Sequence, residues 1–183
     1  MSHKRTSPFV PLNIAVLTIS DTRDENNDTS GQLLRERAEA AGHQVCEHRI
    51  VHDDVYQLRS VVSRWIASED IQVVLTTGGT GFTPRDNTPQ ALQPLFDREV
   101  DGFGELFRQL SYTDIGTSTV QSRAVAGIAN GTLIFAMPGS TGACRLGWDG
   151  ILAEQLDASH RPCNFVPHVK PVDACPSRDH ANG

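Results

Sequence analysis

With 183 residues, 38% of them hydrophobic, the chain is long enough for one well-packed domain and short for two. Its 22 acidic against 16 basic residues give a net charge of −6, which argues against a nucleic-acid surface and makes any phosphate binding a local matter. No run approaches the roughly eighteen apolar residues of a membrane span, the basic start from Met1 to Arg5 leads into no signal-peptide core, and Cys46, Cys144, Cys163 and Cys175 form no C-x-x-C pair, so a cytoplasmic protein with reduced thiols is expected.

In chain order, Asn13 to Ile19 is an apolar, β-branched run that reads as a strand. Asp28-Thr29-Ser30-Gly31 then offers helix-start chemistry ahead of Leu33, Leu34, Ala38 and Ala41 at helical spacing, and Gly42 stops that helix. Val45 to Val51 reads as a second strand, followed by a helix from about Asp53 with Val55, Leu58, Val62, Trp65 and Ile66 on one stripe. A third strand begins at Val73. A helix is marked by Phe103, Leu106, Phe107 and Leu110, Thr132 to Met137 is a buried-type strand, and a last helix holds Trp148, Ile151, Leu152 and Leu156. Alternation of this kind predicts an α/β fold: a three-layer αβα domain on a mostly parallel sheet, spanning residues 12–169. Residues 1–11 form an N-terminal extension, and the tail from Lys170 to Gly183 has too few large apolar residues to order itself.

The most informative segment follows Val73-Val74-Leu75. In Thr76-Thr77-Gly78-Gly79-Thr80-Gly81 a short strand ends in glycines and small hydroxyls, so backbone N–H groups can come close to an anion. It is neither a Walker loop nor a dinucleotide fingerprint. Pro84-Arg85-Asp86 places a cation and a carboxylate beside it, and a carboxylate next to phosphate repels unless a divalent metal lies between them, which suggests Mg²⁺ chemistry on a phosphorylated ligand. The competing readings are a tight strand-to-helix turn for the glycines and a helix N-cap near Thr88-Pro89 for Asp86.

Ligands of open α/β sheets bind outside the carboxyl ends of the strands. Three small, polar loops fall there: Ser20-Asp21-Thr22, Thr76 to Gly81, and Pro138-Gly139-Ser140-Thr141-Gly142. Asp53 and Asp54 sit where a strand gives way to a helix, and composition alone favours helix capping for them. Arg123, within Ser122-Arg123-Ala124-Val125-Ala126-Gly127, is a ligand cation or an ordinary surface arginine. Neither the seven histidines nor the cysteines have the spacing of a metal site or of a nucleophile pair.

Taken in order, Leu17-Thr18-Ile19-Ser20-Asp21, the Thr76 to Gly81 loop with Pro84-Arg85-Asp86 and Thr88-Pro89, Ser122 to Gly127, and Pro138-Gly139-Ser140 resemble the MoaB/MogA family of molybdenum cofactor biosynthesis proteins, which includes the gephyrin G domain. The likeness runs from about residue 12 to residue 168, and the stretch from Gln155 to Phe165 is most similar to the MoaB branch. The resemblance implies a homo-oligomer built on trimers, as trimer or hexamer, and molybdopterin as the ligand. It also implies adenylylation of the molybdopterin phosphate by Mg-ATP with release of pyrophosphate, or, in a non-catalytic member, a carrier role among other proteins of the pathway. Matched motif by motif, the family's two acidic residues fall on Asp86 and Asp53, both as catalytic groups and metal ligands. Ser20, Asp21, Ser30 and Gly31 fall in its first-loop pattern and Pro138 to Ser140 in its last.

Overall fold

The computed structural model describes residues 7–172. Six strands, β1 (Asn13–Ile19), β2 (Gln44–Val51), β3 (Val73–Thr77), β4 (Arg98–Glu99), β5 (Val125–Ala129) and β6 (Thr132–Met137), form one sheet in the order β2-β1-β3-β6-β5-β4. The first four run parallel, and β5 and β4 close the far side antiparallel. β1, β3 and β6 are buried at every residue, as expected of strands covered on both faces. On one face lie α1 (Thr29–Ala40), α4 (Asp101–Ile115) and α5 (Thr141–Gly147), and on the other α2 (Val55–Ala67) and the short α3 (Thr88–Leu92).

The two cores follow from strand alternation. Ile14, Val16, Val73, Leu75, Leu133 and Phe135 meet Leu34, Phe103, Phe107 and Trp148 on the first face. Ala15, Leu17, Val74 and Ile134 meet Leu58, Val62, Trp65 and Leu92 on the second. α5 continues through a wide π turn at Trp148–Leu152, which keeps Trp148, Ile151 and Leu152 pointing inward.

Local chemistry sets the ends of the helices. Asp28 accepts the Gly31 amide at the start of α1, Asp54 accepts the Tyr56 and Gln57 amides at the start of α2, and Ser140 accepts the Ala143 amide at the start of α5. α1 ends at Ala40, so Ala41, expected on its apolar stripe, is instead the exposed cap. Leu106 likewise turns outward, because Phe103, Phe107 and the partly buried Leu110 supply the apolar face of α4 against the sheet. β5 was not expected as a strand. It joins β6 through Asn130-Gly131, both at positive φ, the two-residue turn whose twist matches an antiparallel hairpin.

Lys170, at the start of the expected tail, is anchored: its amide donates to Gly131 O, its ammonium to the carbonyls of Ile66 and Ser68, and its carbonyl accepts from Gln72. The remainder of that tail, from residue 173, lies outside the described residues. Among the described residues Cys144 and Cys163 are free thiols, and no helix is long and apolar enough to cross a membrane.

Candidate functional site

The carboxyl ends of β1, β3 and β6 open onto a cleft of about 440 Å³. The loops expected to converge do so. Ser20, Ser30, Thr77, Gly78 to Gly81, Asp86, Ser122, Pro138 and Gly139 all line it, together with Thr18, Arg23, Asp28, Ile115, Ser118 and Gln121, which sequence reasoning had not assigned to the site. A second, larger cavity of about 810 Å³ adjoins the first across Ser20, Arg23 and Asp28 and runs along β2.

The glycine loop is held from beneath. Gly78 N donates to Met137 O, and Thr88, fully buried, clamps the loop through its hydroxyl to Gly78 O and its amide to Gly79 O. Gly79 sits at φ +65°, and a Cβ there would lie 2.3 Å from Thr88 Oγ1 and 2.5 Å from Asp53 Oδ2. At Gly81 a Cβ would lie 2.8 Å from Asp86 Oδ2. Both carboxylates therefore dock on the loop where side chains are missing, at positions two residues apart.

Their surroundings differ. Asp54 does the capping of α2, which leaves Asp53 free of that duty. Asp53 is 7% exposed, and its Oδ1 accepts the Asn87 amide at 3.2 Å. Burial, then the nearby charges of Asp86 and Asp21, push its carboxyl above the ordinary range, against the pull of the Asn87 amide and Arg85. Asp86 is not the cap of α3 either, since Asn87 holds that position. It folds back on its own loop, where Oδ2 accepts the Thr83 hydroxyl at 2.6 Å and the Thr83 amide at 2.8 Å. Burial opposes its charge, but Thr83, the Gly81 amide and Arg123 together outweigh it and hold the carboxyl below the ordinary range.

Arg123, read as a possible ligand cation, and Arg85, the cation beside the glycine loop, are both engaged. Arg85 reaches across to Asp21 at 2.6 and 3.0 Å, and this contact leads the causes that lower the Asp21 carboxyl. Asp21 also accepts the Asp53 amide and lies 3.3 Å from His52 Nδ1, so it ties the first loop to the β2–α2 junction. Arg123 donates to the carbonyls of Gly81 and Asp86 and lies over the Phe82 ring, so it braces the glycine loop from its outer side. Thr76 is buried within β3, facing away from the cleft, and its hydroxyl has no hydrogen-bond partner. Thr77 donates to Pro138 O and receives the Cys144 thiol, whose burial pushes its pKa up to about 11 and leaves it a neutral packing group. Ser140 caps α5.

Around α1 the glycine requirement recurs. At Gly31 a Cβ would lie 2.2 Å from Asp28 Oδ2, 2.3 Å from Thr18 Oγ1 and 2.6 Å from His48 Nε2, so the residue makes room for a buried polar cluster rather than for a ligand. Ser30 Oγ donates to Gly139 O and contacts Thr141 Oγ1, which joins the first loop to the last. Asp28 could be read from sequence only as a helix start. Its second role depends on His48, twenty residues away on β2, for which the sequence carries no local signal.

Among the described residues no group of three or more His, Cys, Asp and Glu side chains is arranged to hold a metal ion. Mg²⁺ keeps several waters and binds through one or two carboxylates plus phosphates. Asp86 lines the cleft and Asp53 lies beneath the glycine loop rather than in the lining; the pair fits that donor set, because the charge that Asp86 imposes on Asp53 is one that a divalent cation relieves.

A mostly parallel αβα domain with a glycine loop, two docked carboxylates and polar loops at three strand ends has the layout of an open-sheet α/β ligand-binding domain. Residues 15–158 match the family described as probable molybdopterin binding domain, and the chain belongs to this family, the MoaB/MogA proteins of molybdenum cofactor biosynthesis. It is 62% identical over 165 residues to molybdenum cofactor biosynthesis protein B of Escherichia coli (strain K12), covering 90% of this chain and 97% of that one. A crystal structure of molybdenum cofactor biosynthesis protein B superposes with a TM-score of 0.78 at 45% identity, over 80% of this chain and 92% of the other. The tungsten cofactor synthesizing protein MoaB from Pyrococcus furiosus superposes with a TM-score of 0.72 at 39% identity, over 79% and 92%.

Proposed function

We propose that the chain binds molybdopterin in the cleft and adenylylates its terminal phosphate with Mg-ATP. In that reaction an oxygen of the pterin phosphate bonds to the α-phosphorus of ATP, the bond to the β-phosphate breaks, and pyrophosphate leaves. The observation that supports this reading most is the docking of Asp53 and Asp86 on the glycine loop at Gly79 and Gly81. Two carboxylates next to a phosphate-facing loop are unfavourable unless a cation joins them, and Asp53 already carries the cost in its raised carboxyl pKa.

Asp53 and Asp86 would hold Mg²⁺. Its positive charge would offset the repulsion between the two phosphates. With the Gly78 amide held by Met137 O and the Gly81 amide by Asp86, the amides of Gly79 and Thr80 are the ones that would orient phosphate oxygens, on a loop pre-set by Thr88 below and Arg123 outside. Ser20, Ser30, Ser122, Pro138 and Gly139 complete the lining. Subunits assemble as trimers, singly or in pairs, and serve the same pathway as its other proteins.

A carrier that binds molybdopterin without turnover is the second reading. It is favoured by the engagement of Arg85 with Asp21 and of Asp86 with Thr83, which leaves both less free to meet a nucleotide. Incubating the purified protein with molybdopterin, ATP and Mg²⁺ separates the two. Adenylylated pterin and pyrophosphate in equal amounts are expected, and pterin binding with no product assigns the carrier role instead.

A further inference from the structure

The cleft carries a buried negative charge in its own wall. Asp28 lines it with a side chain only 3% exposed, and the carboxylate accepts the Thr18 hydroxyl at 2.6 Å, the Gly31 amide at 2.9 Å and His48 Nε2 at 2.9 Å. Burial opposes the charge, but the bonds from His48, Thr18 and Gly31 outweigh it and keep the carboxyl below the ordinary range. A phosphate entering the cleft therefore meets an ionised carboxylate in a site of reduced dielectric, and like charges there repel strongly.

His48 stands behind that carboxylate. An ionised Asp28 has no proton to give, so Nε2 is the donor, and the position left to gain or lose a proton is Nδ1. The side chain is 21% exposed and opens into the second cavity, so a proton can reach it without crossing the cleft. The other charged or titratable groups lining that cavity are Arg23, Asp24 and Glu25 of the first loop, Arg35 of α1, and Arg49 and His52 on either side of the end of β2. Four of them are engaged elsewhere: Arg23 with Asn27 O, Arg35 with Glu39, Arg49 with Glu47, and His52 with Asp21. Asp28 is thus the carboxylate that His48 compensates. It also governs geometry, since it caps α1, whose first-turn Ser30 bonds Gly139 across the cleft.

We propose that His48 is a positioning and charge-compensating residue of the phosphate cleft. Through Nε2 it fixes Asp28, and with it the start of α1, and it takes up a proton when a phosphate anion enters beside Asp28. This rests on the reading that the cleft receives phosphorylated ligands.

Calorimetric titration of the full chain with AMP tests it, in pairs of buffers of different ionisation enthalpy at pH 7.5, where a phosphate monoester with a second pKa of about 6 is already a dianion. The wild type is expected to take up roughly a third of a proton or more on binding, and its affinity to fall about threefold or more between pH 7 and 8.5. His48→Gln keeps a donor for Asp28 but cannot titrate there, so it should bind without proton uptake, with a flat affinity near the wild type's high-pH value. Asp28→Asn should also be flat, and tighter than His48→Gln. AMP binding with no proton uptake, or with uptake unchanged in His48→Gln, overturns this inference alone. Failure of AMP to bind the wild type at any pH overturns the nucleotide reading of the cleft and this inference with it.

Discussion

The β2–α2 junction and the loop of residues 82–87 each present one aspartate to the same glycine loop, and they do so in opposite electrostatic conditions. At the junction Asp54 takes the capping role, so Asp53 is left buried among other carboxylates with its charge poorly compensated. In the loop Asp86 is held by Thr83, Gly81 and Arg123 and is comfortable as an anion. Asp86 is thus held ready as an anion at little cost to the fold. A carboxylate like Asp53 is maintained at a cost to the fold, and such groups concentrate at functional sites.

The largest expected effect comes from filling the space between them. Gly79→Ala forces a Cβ onto Thr88 and Asp53 at positive φ and should cost on the order of 3 kcal/mol in denaturant unfolding. A loss under about 0.5 kcal/mol would mean that Asp53 does not lie under the loop.

The acid limb of the stability curve must be read against His43. Its Nδ1 accepts the Leu12 amide, and burial pushes its pKa from 6.5 down to about 4, against a weak opposite pull from Asp157. The folded state thus binds this proton less readily than the unfolded chain, so its contribution is complete above about pH 6.5 and is lost as pH falls toward 4. That window corresponds to about 3 kcal/mol, and His43→Gln should flatten it.

Asp86→Asn should lower adenylylation about a hundredfold, the size typical of removing one electrostatic catalytic group, while stability changes by no more than about 1 kcal/mol. Because the Asp86 carboxyl is held low, its contribution to stability is present above the ordinary carboxylate pKa of 3.8 and is lost as pH falls through the folded-state value, so wild type and variant should converge in acid. Wild-type turnover in Asp86→Asn would remove it from the mechanism. The smallest effect belongs to a site remote from both carboxylates. Lys170→Ala loses two carbonyl contacts and should cost about 1 kcal/mol with turnover unchanged.

The strands, helices and three convergent loops were legible because periodicity and strand-end position are local properties: Asn13 to Ile19, Thr132 to Met137 and the glycine loop were read almost to the residue. β5 is hard to read because Ser122 to Gly127 has the look of a ligand motif, although Asn130-Gly131 just beyond it is a hairpin signal. Side-chain commitments were not legible, since they join residues far apart in sequence. Arg85 is bound to Asp21 sixty-four residues away and Arg123 to Gly81 forty-two away, and no spacing rule announces either pair. Asp53 shows both limits at once: a helix-start pattern located it, but only the fold assigned the cap to Asp54 next door.

The central claim is that Asp53 is kept for the reaction and not for the fold. A carboxyl whose folded-state pKa is raised destabilises the folded protein while it is ionised, and that penalty disappears as pH falls below the folded-state value. Asn retains the size of Asp and an oxygen for the Asn87 amide but removes the charge. Paired measurement of denaturant unfolding at pH 7 and of molybdopterin-dependent pyrophosphate release from Mg-ATP should find Asp53→Asn at least as stable as the wild type and about a hundredfold or more slower. An Asn variant that is less stable than the wild type yet turns over at the same rate would contradict the account.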